Sequence, residues 1–143
     1  MSNAFHVSLN VRSIPEAVER YRKILGAEPA KVRDDYAKFE LADPPVVLSL
    51  NLGGEPGTVG HLGIRRPDSD SVAAELRRSA DVSLEPFSQE GVTCCYAKAD
   101  KFWVRDADGM AWEMYSFIAD AETHSKPAPA PAAAAVKSGC CAA

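Results

Sequence analysis

The sequence predicts an α+β fold of two tandem βαβββ modules followed by a segment that packs no core. Three observations predict it. First, marks recur in the same order on either side of Gly53–Gly57: His6, Glu28-Pro29 and Tyr36-Ala37-Lys38, then His61, Glu85-Pro86 and Tyr96-Ala97-Lys98. Second, a strand-like stretch and then a helix-like one open each half. Third, the composition changes at Ala119, and residues 126–135 are one lysine followed only by Pro and Ala. Such a run favours an extended spacer over a packed element. The expected organisation is one domain over residues 1–118, with modules at about 4–55 and 58–118, and a flexible tail over 119–143.

The elements follow in order. Phe5, Val7, Leu9 and Val11 alternate with His6, Ser8 and Asn10, a half-buried strand with His6 on its polar face. Ser13 and Glu16 form a capping box, and Ile14, Ala17, Val18, Tyr21, Ile24 and Leu25 make one helical stripe that Gly26 can end. Tyr36–Leu41 and Val46–Leu52 read as strands around Asp43-Pro44-Pro45. In the second module His61-Leu62-Gly63-Ile64 is a strand. Asp68–Asp70 offers caps for a helix carrying Val72, Ala73, Leu76 and Ala80. Phe102–Val104 is a strand, Asp106–Gly109 a turn, and Ala111–Ile118 a last strand with Glu113, Tyr115 and Phe117 on one face.

Composition narrows the function classes. An apolar content of 46% and a charged content of 25% are those of an ordinary soluble globular chain. The formal charge of −4, with both signs interspersed and no basic stripe, argues against a nucleic-acid surface. Residues 1–6 lack the basic and apolar regions of a signal peptide, and no apolar run approaches the ~20 residues that span a bilayer. A cytoplasmic protein with no membrane partner, monomeric or homodimeric, is the expectation.

The cysteines fall as two adjacent pairs, Cys94-Cys95 and Cys140-Cys141. In a reducing compartment paired thiols bind metals or do redox chemistry more often than they form structural disulfides. Thiolates are soft ligands suited to soft metals and, by the same chemistry, to trivalent arsenic or cadmium. Adjacent side chains on a regular strand point to opposite faces, so two sulfurs gripping one atom require a loop, bulge or strand end at Cys94-Cys95. The pair also reads as two small buried apolar residues. The other chemistry-bearing set is His6, His61 and Glu113. The two histidines hold the same place on the first strand of each module, and pseudo-two-fold packing would bring them together. Glu113 would join them from the last strand, and its first-module counterpart falls near Leu48 or Ser49, which offers no second carboxylate. Two His and one carboxylate suit non-haem Fe(II), and zinc fits the same ligands. His124 reads as solvated tail, Tyr96 and Trp103 as core or pocket wall, and Lys98 and Lys101 as solvent-facing.

The paired modules with His6, His61 and Glu113 resemble the vicinal oxygen chelate superfamily, which includes glyoxalase I, extradiol dioxygenases and fosfomycin-resistance proteins. Thr93-Cys94-Cys95-Tyr96-Ala97 and Lys101-Phe102-Trp103-Val104 narrow the resemblance to its arsenic–carbon lyases and cadmium-induced proteins. It implies an Fe(II) cofactor on His6, His61 and Glu113, O2 as co-substrate, and a trivalent organoarsenical partner such as methylarsenite, with aromatic arsenicals as a further class. Cys94 and Cys95 would hold the arsenic, and cleavage of the carbon–arsenic bond would release arsenite. Cys140 and Cys141, on a tether long enough to reach the site, are expected either to collect substrate or to be incidental cysteines of a solvated tail. A thiol-based As(III) or Cd(II) binding protein and a glyoxalase- or fosfomycin-type metalloenzyme are the competing readings.

Overall fold

The computed structural model describes residues 2–122, so His124, Cys140, Cys141 and most of the expected tail lie outside the described residues. The chain runs β1 (Ala4–Asn10), α1 (Ile14–Leu25), β2 (Lys31–Val32), β3 (Tyr36–Ala42), β4 (Pro45–Asn51), β5 (Val59–Arg65), α2 (Ser69–Asp81), β6 (Phe87–Cys94), β7 (Ala97–Arg105) and β8 (Ala111–Asp120). This is the βαβββ order twice. One sheet holds all eight strands in the order β2-β3-β4-β1-β5-β8-β7-β6. Each module thus supplies four adjacent strands. They meet where β1 pairs antiparallel with β5, while β4 and β8 run parallel to β1 and β5 on the outer sides.

Local chemistry sets the helices. Ser13 is the N-cap of α1, and its hydroxyl accepts from the Glu16 N–H at 3.3 Å. Gly26 closes α1 with φ 61°, a left-handed conformation open to glycine at little cost, and its N–H reaches the Arg22 carbonyl. Asp68 caps α2 through the Ser71 N–H at 2.7 Å. Ile14 and Val18 of α1 bury against Ala37, Phe39, Leu48 and Leu50 of β3 and β4, with Val7 and Leu9 of β1 packed alongside. Period-2 alternation then turns His6, Ser8 and Asn10 of β1 to the opposite face, and all three are buried there. The face away from the helix is therefore polar and enclosed, which is unusual for a sheet interior and points to a site.

The register corrects one part of the repeat. Val7 pairs with Leu48 as Leu62 pairs with Trp112, so equivalence of His6 and His61 makes Ser49 the counterpart of Glu113. Tyr36 pairs with Asn51, and the matching pair in module two is Lys101 with Tyr115. The residue equivalent to Tyr36 is thus Lys101, not Tyr96. The Tyr-Ala-Lys match is out of structural register, although the modules it suggested are present.

Gly63 sits beside Glu113 in the parallel β5–β8 pair. A Cβ there would lie 2.5 Å from the Glu113 carbonyl oxygen, too close for the strands to stay at their spacing. Gly63→Ala is expected to lower unfolding free energy by about 1–3 kcal/mol, the usual cost of overpacking, and to push Glu113 away from His61. Guanidinium titration of wild type and variant reads the effect as a shift in midpoint.

Candidate metal and thiol site

His6, His61 and Glu113 converge across the module junction, with ligand-type atoms all within 4.8 Å of one another and all three residues buried. β1 and β5 carry the histidines, whose rings stack with centroids 5.3 Å apart and planes 13° from parallel. β8 brings Glu113 alongside, Oε2 lying 3.4 Å from His61 Nε2.

The surroundings set the electrostatics of the cluster. Burial drives the His6 pKa down from 6.5 to about 3, an effect only partly offset by Glu113, so its imidazole is neutral at pH 7. His6 Nδ1 and the Tyr115 hydroxyl are 2.9 Å apart, and Ser49 Oγ lies 3.3 Å from Nε2. With Nδ1–H donating to Tyr115, Nε2 presents its lone pair to the cluster. Burial and the nearby Glu113 charge raise the Tyr115 pKa well above the usual phenol value and keep that hydroxyl neutral. Burial alone would raise the Glu113 carboxyl, but the Lys101 ammonium and the two imidazoles outweigh it and hold it well below the usual carboxylate range. Neither ring nitrogen of His61 has a hydrogen-bond partner among the described residues, although the ring is 1% exposed. Glu113 Oε2, 3.4 Å from Nε2, is too poorly aligned to satisfy that nitrogen, and an unsatisfied buried nitrogen costs stability unless another group engages it. Two imidazoles, one ionised carboxylate and an unsatisfied buried nitrogen fit a divalent metal ion.

The adjacent cysteines Cys94 and Cys95 open on the same space. Cys94 ends β6 and packs with Trp103 and Ala111, while Cys95 and Tyr96 form the two-residue turn into β7. Their φ values of 49° and 59° are those of a type I′ turn, so Cys95 leaves the strand and the sulfurs converge to 3.5 Å. This is the departure from regular strand geometry that joint use of two adjacent cysteines requires. His6, Glu113, Lys101, Cys94, Cys95 and Tyr115 all line one cavity of about 60 Å³.

Lys101 corrects the sequence reading. It is 2% exposed rather than solvent-facing, and its Nζ donates to Glu113 Oε1 at 3.1 Å and to Cys94 Sγ at 3.2 Å. It joins the carboxylate of the first cluster to the sulfur of the second. The signal was present in Lys101-Phe102-Trp103: with Phe102 buried on the helix side, Trp103 and Lys101 must share the other face. Trp103 is core, one of the two places expected for it, its ring edge-on to His61 at 5.1 Å, with Nε1 donating to Gln89 Oε1. Lys98 is exposed as expected. Among the described residues no helix is long and apolar enough to cross a membrane.

The chain is similar to several known proteins. The trivalent organoarsenical cleaving enzyme of Bacillus sp. (strain MD1) is 41% identical over 127 residues, covering 87% of this chain and 79% of that protein. The cadmium-induced protein CadI of Mycobacterium tuberculosis (strain ATCC 25618 / H37Rv) is 41% identical over 118 residues, covering 82% and 78%. Among solved structures, the 2,3-dioxygenase LapB from Pseudomonas sp. KL28 superposes with a TM-score of 0.65 at 16% identity, over 91% of this chain and 46% of that one, a likeness of fold. Residues 4–114 match the model of one family, and with these relatives that match shows that the chain belongs to the glyoxalase/bleomycin resistance protein/dioxygenase superfamily.

Proposed function

We propose that this protein is an Fe(II)- and O2-dependent lyase that cleaves the carbon–arsenic bond of trivalent organoarsenicals, methylarsenite foremost, and releases arsenite in the cytoplasm. The observation that carries the reading is the shared cavity: His6 and Glu113 of a cluster suited to a divalent metal line the same 60 Å³ as Cys94 and Cys95. Relatives named for organoarsenical cleavage support it. His6 through Nε2, His61 through a ring nitrogen and Glu113 through a carboxylate oxygen would hold the ion. Fe(II) bound there supplies the electrons and open coordination positions that dioxygen chemistry needs.

The chain's own groups do the rest. With bonds of ~2.3 Å, as in zinc–thiolate sites, sulfurs 3.5 Å apart subtend about 100° at a shared atom. That suits a pyramidal arsenic with two sulfurs and one carbon. Cys94 and Cys95 thereby fix the As–C bond in the cavity beside the histidines. The Lys101 ammonium links Cys94 Sγ to Glu113, and Tyr115 fixes the His6 ring. Burial of the cluster keeps bulk water away from the reacting centre.

The test is metal analysis of purified protein followed by incubation with methylarsenite, Fe(II) and O2. One ion per chain and stoichiometric arsenite are expected. Tight arsenical binding with no arsenite formed would instead favour the second reading, a thiol-based As(III) or Cd(II) binding protein, to which the similarity with a cadmium-induced protein lends weight.

Lys101 gives an independent check on the metal. Lys101→Met keeps the volume but removes the cation beside a buried carboxylate, which is expected to destabilise the metal-free protein by about 3 kcal/mol. A divalent ion at Glu113 replaces the lost charge, so adding metal should restore most of that stability. Thermal melts with and without Fe(II) under anoxic conditions read both values. An unchanged deficit on adding metal would place the ion elsewhere.

A further inference from the structure

The two modules carry different chemistry at equivalent places. The register makes Ser49 the counterpart of Glu113 and Tyr36 the counterpart of Lys101. In module two these places hold a carboxylate and an ammonium joined at 3.1 Å. In module one they hold two hydroxyls. Ser49 Oγ is engaged, lying 3.3 Å from His6 Nε2 and accepting from Asn51 Nδ2 at 3.3 Å. The Tyr36 hydroxyl is not: among the described residues no hydrogen bond reaches it. Tyr36 is 5% exposed and lines the cavity that His6 and Glu113 also line. Its oxygen is not sealed into the core, so it borders that space. Burial and the charges of Glu113 and Glu40 push the Tyr36 pKa up, so the phenol keeps its proton at neutral pH. The other polar groups nearby are occupied. Tyr115 engages His6 Nδ1 at 2.9 Å. Tyr96, whose ring centre is 6.2 Å from that of Tyr36, donates its hydroxyl to Asp35 Oδ1 at 2.8 Å. Lys38 and Arg65, also on the cavity wall, pair with Glu40 Oε1 at 2.8 and 3.2 Å. A buried hydroxyl without a partner forgoes the hydrogen bonds that water would give it, and a phenylalanine would fill nearly the same volume without that loss.

We propose that Tyr36 is a substrate-binding, specificity-determining residue whose hydroxyl donates to an oxygen on the arsenic of the bound trivalent arsenical. The inference rests on the organoarsenical reading of the site and adds how the oxygen substituents of the ligand are recognised. Methylarsenite in water is methylarsonous acid, with one methyl and two hydroxyl groups on arsenic, and arsenite is the acid with three. Both are uncharged at neutral pH. A neutral phenol donor suits such an acid, while the charged donors around it are balanced by Glu113 and Glu40. The contact reaches oxygen from module one, does not involve the cysteines, and makes or breaks no covalent bond. It serves the acid as it enters and the arsenite before it leaves, so it acts on affinity for both rather than on cleavage. A site that hydrogen-bonds a hydroxyl also discriminates against the analogue that lacks it.

The test uses full-length, Fe(II)-loaded protein under anoxic conditions, so that binding is read without turnover. Methylarsenite and inorganic arsenite are the probes, in calorimetric titrations. Tyr36→Phe is expected to raise Kd for both about threefold to tenfold, the worth of one hydrogen bond. In aerobic assays KM should rise by the same factor, with kcat within about twofold. The melting temperature of Tyr36→Phe should equal or exceed that of wild type, because no internal hydrogen bond is lost, and Fe(II) content should be unchanged. The proposal is overturned if Tyr36→Phe binds both arsenicals as wild type does. It is equally overturned if the melting temperature falls, which would make the hydroxyl a structural group, or if wild type binds neither probe. Wild type that binds both probes but releases no arsenite from methylarsenite would sink the lyase reading alone, and the Tyr36 contact would still be read from Kd.

Discussion

Cys95→Ser is expected to lower arsenite release from methylarsenite by roughly three orders of magnitude while leaving metal content at wild-type level. One thiolate leaves arsenic tethered by a single rotatable bond, and the loss of fixed orientation beside the metal forfeits much of what intramolecular positioning gives. Cys95 is the better diagnostic of the two. It sits on the turn and is half-buried, so a hydroxyl there is tolerated. Cys94 is 7% exposed against Trp103 and Ala111, so Cys94→Ser carries a packing cost as well as a chemical one. Neither sulfur belongs to the His6–His61–Glu113 cluster, so iron should survive both changes. Iron loss in Cys95→Ser would move that thiol into the metal site. Full turnover would return the pair to the status of small core residues.

How much of this was legible in the sequence depends on how local the cause is. The alternation of β1, the Ser13 cap, the Gly26 stop and the capped second helix are written in neighbouring residues, and all are present. The two histidines could be paired because equivalent strands of a two-module fold meet at its axis. The requirement that Cys94-Cys95 leave the strand followed from side-chain alternation alone, and the turn at Cys95-Tyr96 meets it. Lys101 was missed because a lysine is solvent-facing by default, and only its buried partners Glu113 and Cys94 offset its desolvation. The period of the strand could have placed it beside Trp103. The Asp35–Tyr96 contact had no such signal, since it joins residues of different modules whose approach depends on the curl of the whole sheet. The Tyr-Ala-Lys repeat shows the opposite hazard, a literal match that suggested the right architecture through residues that are not equivalent.

Glu113→Gln should weaken divalent-metal affinity by roughly a hundredfold or more, beyond the 10- to 100-fold typical of losing an outer hydrogen-bond partner, because a ligand charge itself is lost. The amide keeps the volume and an oxygen near His61 but cannot neutralise the ion. The same change strands the Lys101 ammonium, 1% exposed in its side chain, without its carboxylate. The single variant therefore mixes lost metal binding with lost stability, and a double variant separates them. Glu113→Gln with Lys101→Met removes both charges, leaving neither stranded. Its melting temperature should lie above the additive expectation from the two single variants, with a coupling of about 3 kcal/mol. Metal content after dialysis should stay as low as in Glu113→Gln, because the lost ligand has not returned. A double variant that regained stability and iron together would mean that Glu113 serves Lys101 rather than the metal. Persistent metal loss in a restored fold is the outcome expected of a ligand.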